Sequence, residues 1–193
     1  MRASHLLVVV ASLLVAGLTV AGAQRRDAFI ESREHPAIKY NHGRVNDPIA
    51  ELNRKLADGS VRFTYDRESG YLRSALAALA VPVSSQALVF TPSSLQAPRI
   101  NPQNPRAVFF NDTVSLAWVR GGLFLEALAQ DPRQGTQFYT LDQEPSGAPR
   151  FARQVSCLSC HLTFDTAGVP GPVMLTTFPR RTERDYVNGL PNA

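Results

Sequence analysis

Proline and glycine do most to limit what this chain can become. Fourteen prolines and twelve glycines are spread through 193 residues. Proline removes a backbone donor and clashes in a helix interior, and glycine in a helix costs ordering entropy. This punctuation argues against long uninterrupted helices and for short elements joined by turns. The expected class is α+β: short N-terminal helices, a small antiparallel sheet in the middle, and a short helix near the C-terminus that carries both cysteines.

Asp47-Pro48 should open the first helix, because aspartate caps well and proline suits the first helical position. Ile49, Leu52 and Leu56 share one face, and Gly59 supplies the stop. Val61 to Tyr65 alternates like a short half-buried strand. A second helix is expected over about Gly70 to Ala80, burying Leu72, Leu76 and Leu79. From Pro82 the pattern turns strand-like, with strands expected at Ala87–Phe90, Ala107–Phe110, Thr113–Val119, Leu123–Ala129 and Thr136–Leu141. Asn111-Asp112 reads as a two-residue hairpin turn, Ser93 to Asn104 as a polar loop, and Asp131 to Gly135 as a turn. Val114, Leu116 and Trp118 line one strand face. Phe151 to Leu162 should hold a short helix.

The N-terminus has one early charge, Arg2, then an apolar run from Leu6 to Val20 and the small-x-small stretch Ala21-Gly22-Ala23. That is the layout of a secretory signal peptide over residues 1–23, and it predicts a periplasmic or otherwise exported protein. The alternative is an uncleaved anchor, but the run is barely long enough to span, and Arg25 and Arg26 lie on the wrong side. No transmembrane segment is expected after cleavage. Residues 24–45 are polar, lack a period and read as an extended lead-in; 46–193 read as one domain. The apolar fraction of 44 % is ordinary for a globular chain. A formal charge of +4, one less without Arg2, is too mild to argue for nucleic acid. It suits docking to an acidic redox partner and equally a mixed, solvated surface.

Cys157-Leu158-Ser159-Cys160-His161 carries the chemistry. It is C-x-x-C-H, the spacing for covalent haem attachment: two thiols three positions apart reach one porphyrin edge, and the adjoining imidazole reaches the iron. Both of the chain's cysteines lie inside it. Three other readings compete. A structural zinc site needs four ligands, and the other mature-chain histidines, His35 and His42, are far upstream. A thioredoxin-like pair sits after a strand in a βαβ unit and asks for no histidine. A disulfide across two residues is strained.

Position for position, Cys157, Cys160 and His161 resemble the haem-binding signature of c-type cytochromes. The specific match covers five residues. The chain is also similar to uncharacterised bacterial proteins with a cytochrome c-type domain, in Pro82-Val83-Ser84-Ser85-Gln86, Phe110-Asn111-Asp112, Phe138-Tyr139-Thr140-Leu141-Asp142 and Val169-Pro170-Gly171. The resemblance implies one covalent haem c joined through Cys157 and Cys160, His161 as proximal iron ligand, and single-electron transfer between redox partner proteins. It also implies maturation on the translocated side of a membrane, in keeping with the leader. In the best-known small cytochromes the motif lies near the mature N-terminus and the distal methionine several tens of residues beyond it. Here the motif comes late, and the similar bacterial proteins continue further, so the domain is expected to be incomplete at its C-terminus.

Met174, the mature chain's one methionine, is the candidate sixth ligand, held by the stiff Pro170-Gly171-Pro172 loop. A plain apolar filler is the alternative. Other arrangements stay open: His35 or His42, a ligand in missing sequence or on a partner, or a five-coordinate iron. Trp118, Phe138 and Tyr139 suit either core packing or the wall of a haem pocket. The leading expectation is an electron carrier rather than an enzyme. A peroxidase-like enzyme needs an acid–base group at an open iron, for which Glu126, His35 and Arg153 are available by type. A gas or redox sensor, or a haem-bearing adhesion module, is the third.

Overall fold

The computed structural model describes residues 33–92, 94–145 and 148–173. The stretch 1–23 expected to be a leader, and Met174 with the chain after it, lie outside these. Short helices and a six-stranded, open antiparallel sheet make up the fold, as the broken sequence demands.

Helix α1 spans Pro48–Ala57. Asp47 caps it, accepting from the amides of Ile49 at 2.8 Å and Ala50 at 2.9 Å, which satisfies two of the first turn's orphan donors. Arg54 and Lys55 sit in the last turn, where the helix dipole favours cations. Helix α2, Leu72–Ala78, buries Leu72, Ala75 and Leu76. Both expected helices are present and both expected stripes face inward, with Leu56 only partly buried.

The strands are β1 (Ala87–Val89), β2 (Arg106–Phe110), β3 (Val114–Trp118), β4 (Phe124–Asp131), β5 (Gly135–Asp142) and β6 (Ala152–Arg153). They pair in sequence order, every neighbour antiparallel. Strict alternation along β4 places Leu125, Ala127 and Ala129 on one face, and helices α1 and α2 pack there with Leu116, Phe109 and Tyr139. Asp131 accepts from the amides of Arg133 and Gln134, and Gly135 at φ +74° closes the β4–β5 turn.

Several expectations need correction. Residues 61–65 form no strand, because the amide and carbonyl of Thr64 are both satisfied by the Ser74 hydroxyl on α2 rather than by a neighbouring strand. The alternation there is real but serves packing: Val61, Phe63 and Tyr65 lean on the core. The β2–β3 turn tip falls one residue late, at Asp112-Thr113. There the Asn111 side chain accepts from the amides of Thr113 and Val114 and shapes the bend. Strand β6 was not visible in the sequence, since two residues carry no period. Helix α3 covers only Leu158–His161, preceded by a 3₁₀ turn at Val155–Cys157. The described end of the lead-in runs as turns and buries Tyr40 instead of lying extended.

Candidate functional site

The second face of the sheet carries the motif. On β5, Phe138 points away from the main core and opposes Leu128 of β4. Tyr40, Phe138 and Leu158 form a separate buried cluster, with Cys157, Leu162 and Leu128 packed against it. Leu158, the first x of C-x-x-C-H, is thus the anchor that seats α3 on β5. Gln154 fixes the approach: its amide donates to the Phe138 carbonyl at 2.8 Å and its side chain to the Thr140 hydroxyl at 2.9 Å. Tyr40 closes the cluster from the N-terminal side, its hydroxyl donating to the Thr136 carbonyl at 2.8 Å. Burial pushes that phenol up to about 12, against the Arg153 guanidinium stacked over its ring at 4.7 Å.

His161 ends α3. Its ring is tilted 38° to that of Phe138, with centroids 4.6 Å apart. The following loop turns back on it. The Gly171 amide donates to the His161 carbonyl at 3.0 Å, and the Gly171 carbonyl lies 3.0 Å from Nδ1. The Val173 amide lies 3.3 Å from the same nitrogen. The two contacts require opposite tautomers, and the Gly171 contact is the shorter: with the proton on Nδ1, the ring donates to Gly171 and leaves the Nε2 lone pair available. Metal-ligating histidines are commonly oriented by such a second-nitrogen hydrogen bond. Burial pushes the His161 pKa down, and the Gly171 carbonyl opposes this, so the neutral, ligating form is favoured at pH 7.

Both cysteines are free thiols, Cys160 exposed and Cys157 half-buried. Burial, reinforced by the Glu126 carboxylate, pushes the Cys157 thiol up to about 11. It is therefore a poor nucleophile without help, unlike the depressed thiol of a redox pair.

Beside the motif the sheet face is left half-open. Directly opposed residues share a face, so Leu128, Ser115 and Phe110 form one row, and Glu126, Ala117, Val108 and Ala87 another. Phe110 is 45 % exposed. This face is made largely of small or apolar side chains, and among the described residues one ion pair crosses it, Arg106–Glu126 at 2.9 Å. Glu126 also accepts from the Ser94 hydroxyl at 2.6 Å. The Arg106 Nε is buried without a hydrogen-bond partner. Two thiols three apart, a neutral imidazole whose Nε2 has no hydrogen-bond partner among the described residues, and a sheet face largely of small or apolar side chains fit a haem joined at this motif. Cys157 and Cys160 would hold the porphyrin and His161 its iron. The group would supply a one-electron couple.

The remaining candidates separate clearly. Of the three aromatics only Phe138 adjoins the motif; Trp118 and Tyr139 belong to the main core. His35 and His42 are exposed, and His35 Nδ1 accepts from the Ala37 amide. Glu126 is held by Arg106 and Ser94, and Arg153 by Tyr40, so the acid–base candidates are not gathered at one point. Among the described residues no group of three or more His, Cys, Asp or Glu converges as a metal cluster, which leaves a zinc site without its ligands there. Gly171 and Arg106 were missed in the sequence; the Arg106-x-Val108-x-Phe110 alternation was the available signal for the latter. No family model, no curated protein and no solved structure matches this chain.

Proposed function

We propose that this chain is an exported monohaem c-type cytochrome, a carrier of single electrons between redox partner proteins. Cys157 and Cys160 attach the haem c, and His161 is the proximal iron ligand. The observation that carries this reading is the C-x-x-C-H run whose histidine has Nδ1 engaged by the Gly171 carbonyl at 3.0 Å, leaving Nε2 for a metal. The half-open apolar floor beside it supports the same reading, since a bound porphyrin needs apolar contact on its faces. Export through the leader at 1–23 agrees with it.

The proximal imidazole is neutral and oriented before any metal arrives, so little reorganisation accompanies ligation. The Gly171 contact raises the basicity of the ligating nitrogen and thereby favours the oxidised iron. Met174 is the proposed sixth ligand. This requires the chain after Gly171 to leave the imidazole, because the Val173 amide stands by Nδ1, the nitrogen remote from the metal.

The test is to express the full chain in a host that matures c-type cytochromes, denature the product and extract it with acidified organic solvent. The expected result is pigment retained on the polypeptide and a mass increased by one haem. Pigment that washes out, or an unmodified mass, overturns the proposal. A far-red band in the ferric spectrum that disappears in Met174→Ala identifies the sixth ligand.

A further inference from the structure

We infer that the cleft between α2 and strands β2 and β3 is a binding site for an amphipathic carboxylate, an anionic head on an apolar body. The cleft lies on the sheet face opposite the C-x-x-C-H motif, so it stands independently of the haem reading.

Strand register assigns the face. Phe109 opposes Leu116, and Leu116 opposes Ala127, so all three point to the main core. Trp118 lies two residues from Leu116 on the same strand, hence on the same face. Helix α2 covers that face only in part. Leu72 and Leu76 of the helix, with Phe109 and Trp118 of the sheet, line a cleft of about 1110 Å³. Small-molecule sites commonly measure about 300–1,000 Å³, so one ligand of moderate size fits. Trp118 is only partly buried there, and apolar surface rimmed by polar groups is the mark of a binding groove. The walls are fixed before any ligand arrives. The Asn111 side chain donates to the carbonyls of Leu79 at 3.1 Å and Ala80 at 3.3 Å, tying the end of α2 to the end of β2. The Asn104 side chain donates to the Arg120 carbonyl at 3.1 Å and holds the loop after β3.

Charge selects the occupant. Arg67, Arg73 and Arg120 are exposed and line this same cleft, against one acid, Glu68. The ion pairs among the described residues use Arg33, Lys55 and Arg106, and none of these three. The Asp66 carboxylate, which feels Arg73, already accepts from the Glu68 amide and from the Ser69 amide and hydroxyl. Three cations around an apolar floor favour an anion with an apolar body, and the acceptor that best matches a guanidinium is a planar carboxylate. Residues 24–32 and 174–193 do not supply it. Arg25 and Arg26 balance Asp27 and Glu31, and Arg180, Arg181 and Arg184 outnumber Glu183 and Asp185. A second copy, at a formal charge of +4, would be repelled rather than drawn in.

The experiment titrates the full chain, matured as above, with decanoate, with 2-naphthoate, and with decyltrimethylammonium, which puts the opposite charge on an alkyl tail. Binding is read by calorimetry and by the indole N–H resonance of Trp118, the chain's one tryptophan. At least one carboxylate should bind with a Kd below about 1 mM and shift that resonance, and the tighter of the two tells an alkyl body from an aromatic one. Decyltrimethylammonium should bind about tenfold more weakly or worse. The triple variant Arg67→Gln, Arg73→Gln, Arg120→Gln should lose about tenfold or more in carboxylate affinity. Glu68→Gln should tighten binding about twofold, and added salt should weaken it. The inference is overturned if neither carboxylate moves the Trp118 resonance, if the cation binds as well as decanoate, or if the triple variant matches the wild type. Should the triple variant not fold, Glu68→Gln and the salt series decide, and a binding constant indifferent to both overturns it. A chain that carries no covalent haem overturns the attachment reading alone; a haem-bearing chain that binds neither carboxylate overturns this inference alone.

Discussion

The His161 and Phe138 rings meet at 4.6 Å between centroids, so the motif's imidazole packs on the back of the strand that also builds the main core. Phe138 is 4 % exposed and is the largest side chain shared between β5 and α3. Truncating it leaves a void under both the histidine and Leu158. Phe138→Ala is expected to destabilise the protein by about 3 kcal/mol or more in urea unfolding, and Phe138→Leu by only about 1 kcal/mol. The holoprotein should also show a broadened axial-histidine signature in Phe138→Ala, since the ring loses its lateral support. An unchanged unfolding midpoint would place the imidazole's support elsewhere.

The two thiols should differ sharply in reactivity before haem is added. Cys160 is exposed, whereas Cys157 is packed against the second cluster with its pKa pushed up to about 11 by burial and the Glu126 carboxylate. Only the thiolate reacts with an alkylating agent. In chain made without haem, iodoacetamide at pH 7.5 should label Cys160 about tenfold faster than Cys157 or more, as read by peptide mass. Glu126→Gln should narrow the gap. Equal rates would mean that Cys157 is not seated as described.

Much of this arrangement could be read from residue patterns, and the rest fails for definable reasons. Asp47-Pro48 located α1 because a cap and a first-turn proline act within one turn of chain. The strand block from 87 to 141 was legible because β3 and β4 alternate against one core, while β5, buried on both faces, follows them across the turn at Asp131 to Gly135. The segment at 61–65 alternates as well, yet its backbone partner is the Ser74 hydroxyl, a tertiary contact that period two cannot distinguish from a neighbouring strand. The motif named its own chemistry, but its neighbours did not. Gly171 reaches His161 through backbone atoms, which carry no sequence signature, and Arg106 meets Glu126 only once the register of three strands is known. Tyr40 looked like part of a polar lead-in because one aromatic among charged residues has no periodicity.

The α1 cap is also a link to the sheet. Asp47 is 2 % exposed; one oxygen accepts from the Ile49 and Ala50 amides, and the other accepts from the Tyr139 hydroxyl at 2.5 Å. Asp47→Ala should therefore cost more than an exposed cap, about 2 kcal/mol or more in urea unfolding, because a buried hydroxyl is left unpaired as well. Tyr139→Phe should cost about 1 kcal/mol. In a double-mutant cycle the two should couple by about 1 kcal/mol. Strict additivity would show that the hydroxyl bond contributes nothing beyond its parts.

Acid should loosen the molecule first at the β4–β5 turn. Asp131 is 4 % exposed, and burial pushes its carboxyl up. The amides of Asn46, Gln134 and Arg133, with the Arg153 charge, outweigh that and hold it below the usual carboxylate range. A carboxyl depressed in the folded state binds its proton more readily in the unfolded state. Its contribution is thus fully present above the unfolded value of about 3.9 and fades as pH falls through the folded one. Asp131→Asn keeps the shape but removes the ionised acceptor, so its stability should be lower at pH 7 and should change less between about pH 5 and pH 2 than that of the wild type. The Asn46 amide, which donates to Asp131 at 2.5 Å, should become the earliest to exchange with solvent as the wild type is acidified. Hydrogen exchange at Asn46 that stays flat down to pH 3, or an Asp131→Asn profile parallel to the wild type, would show that another carboxyl sets the acid limit.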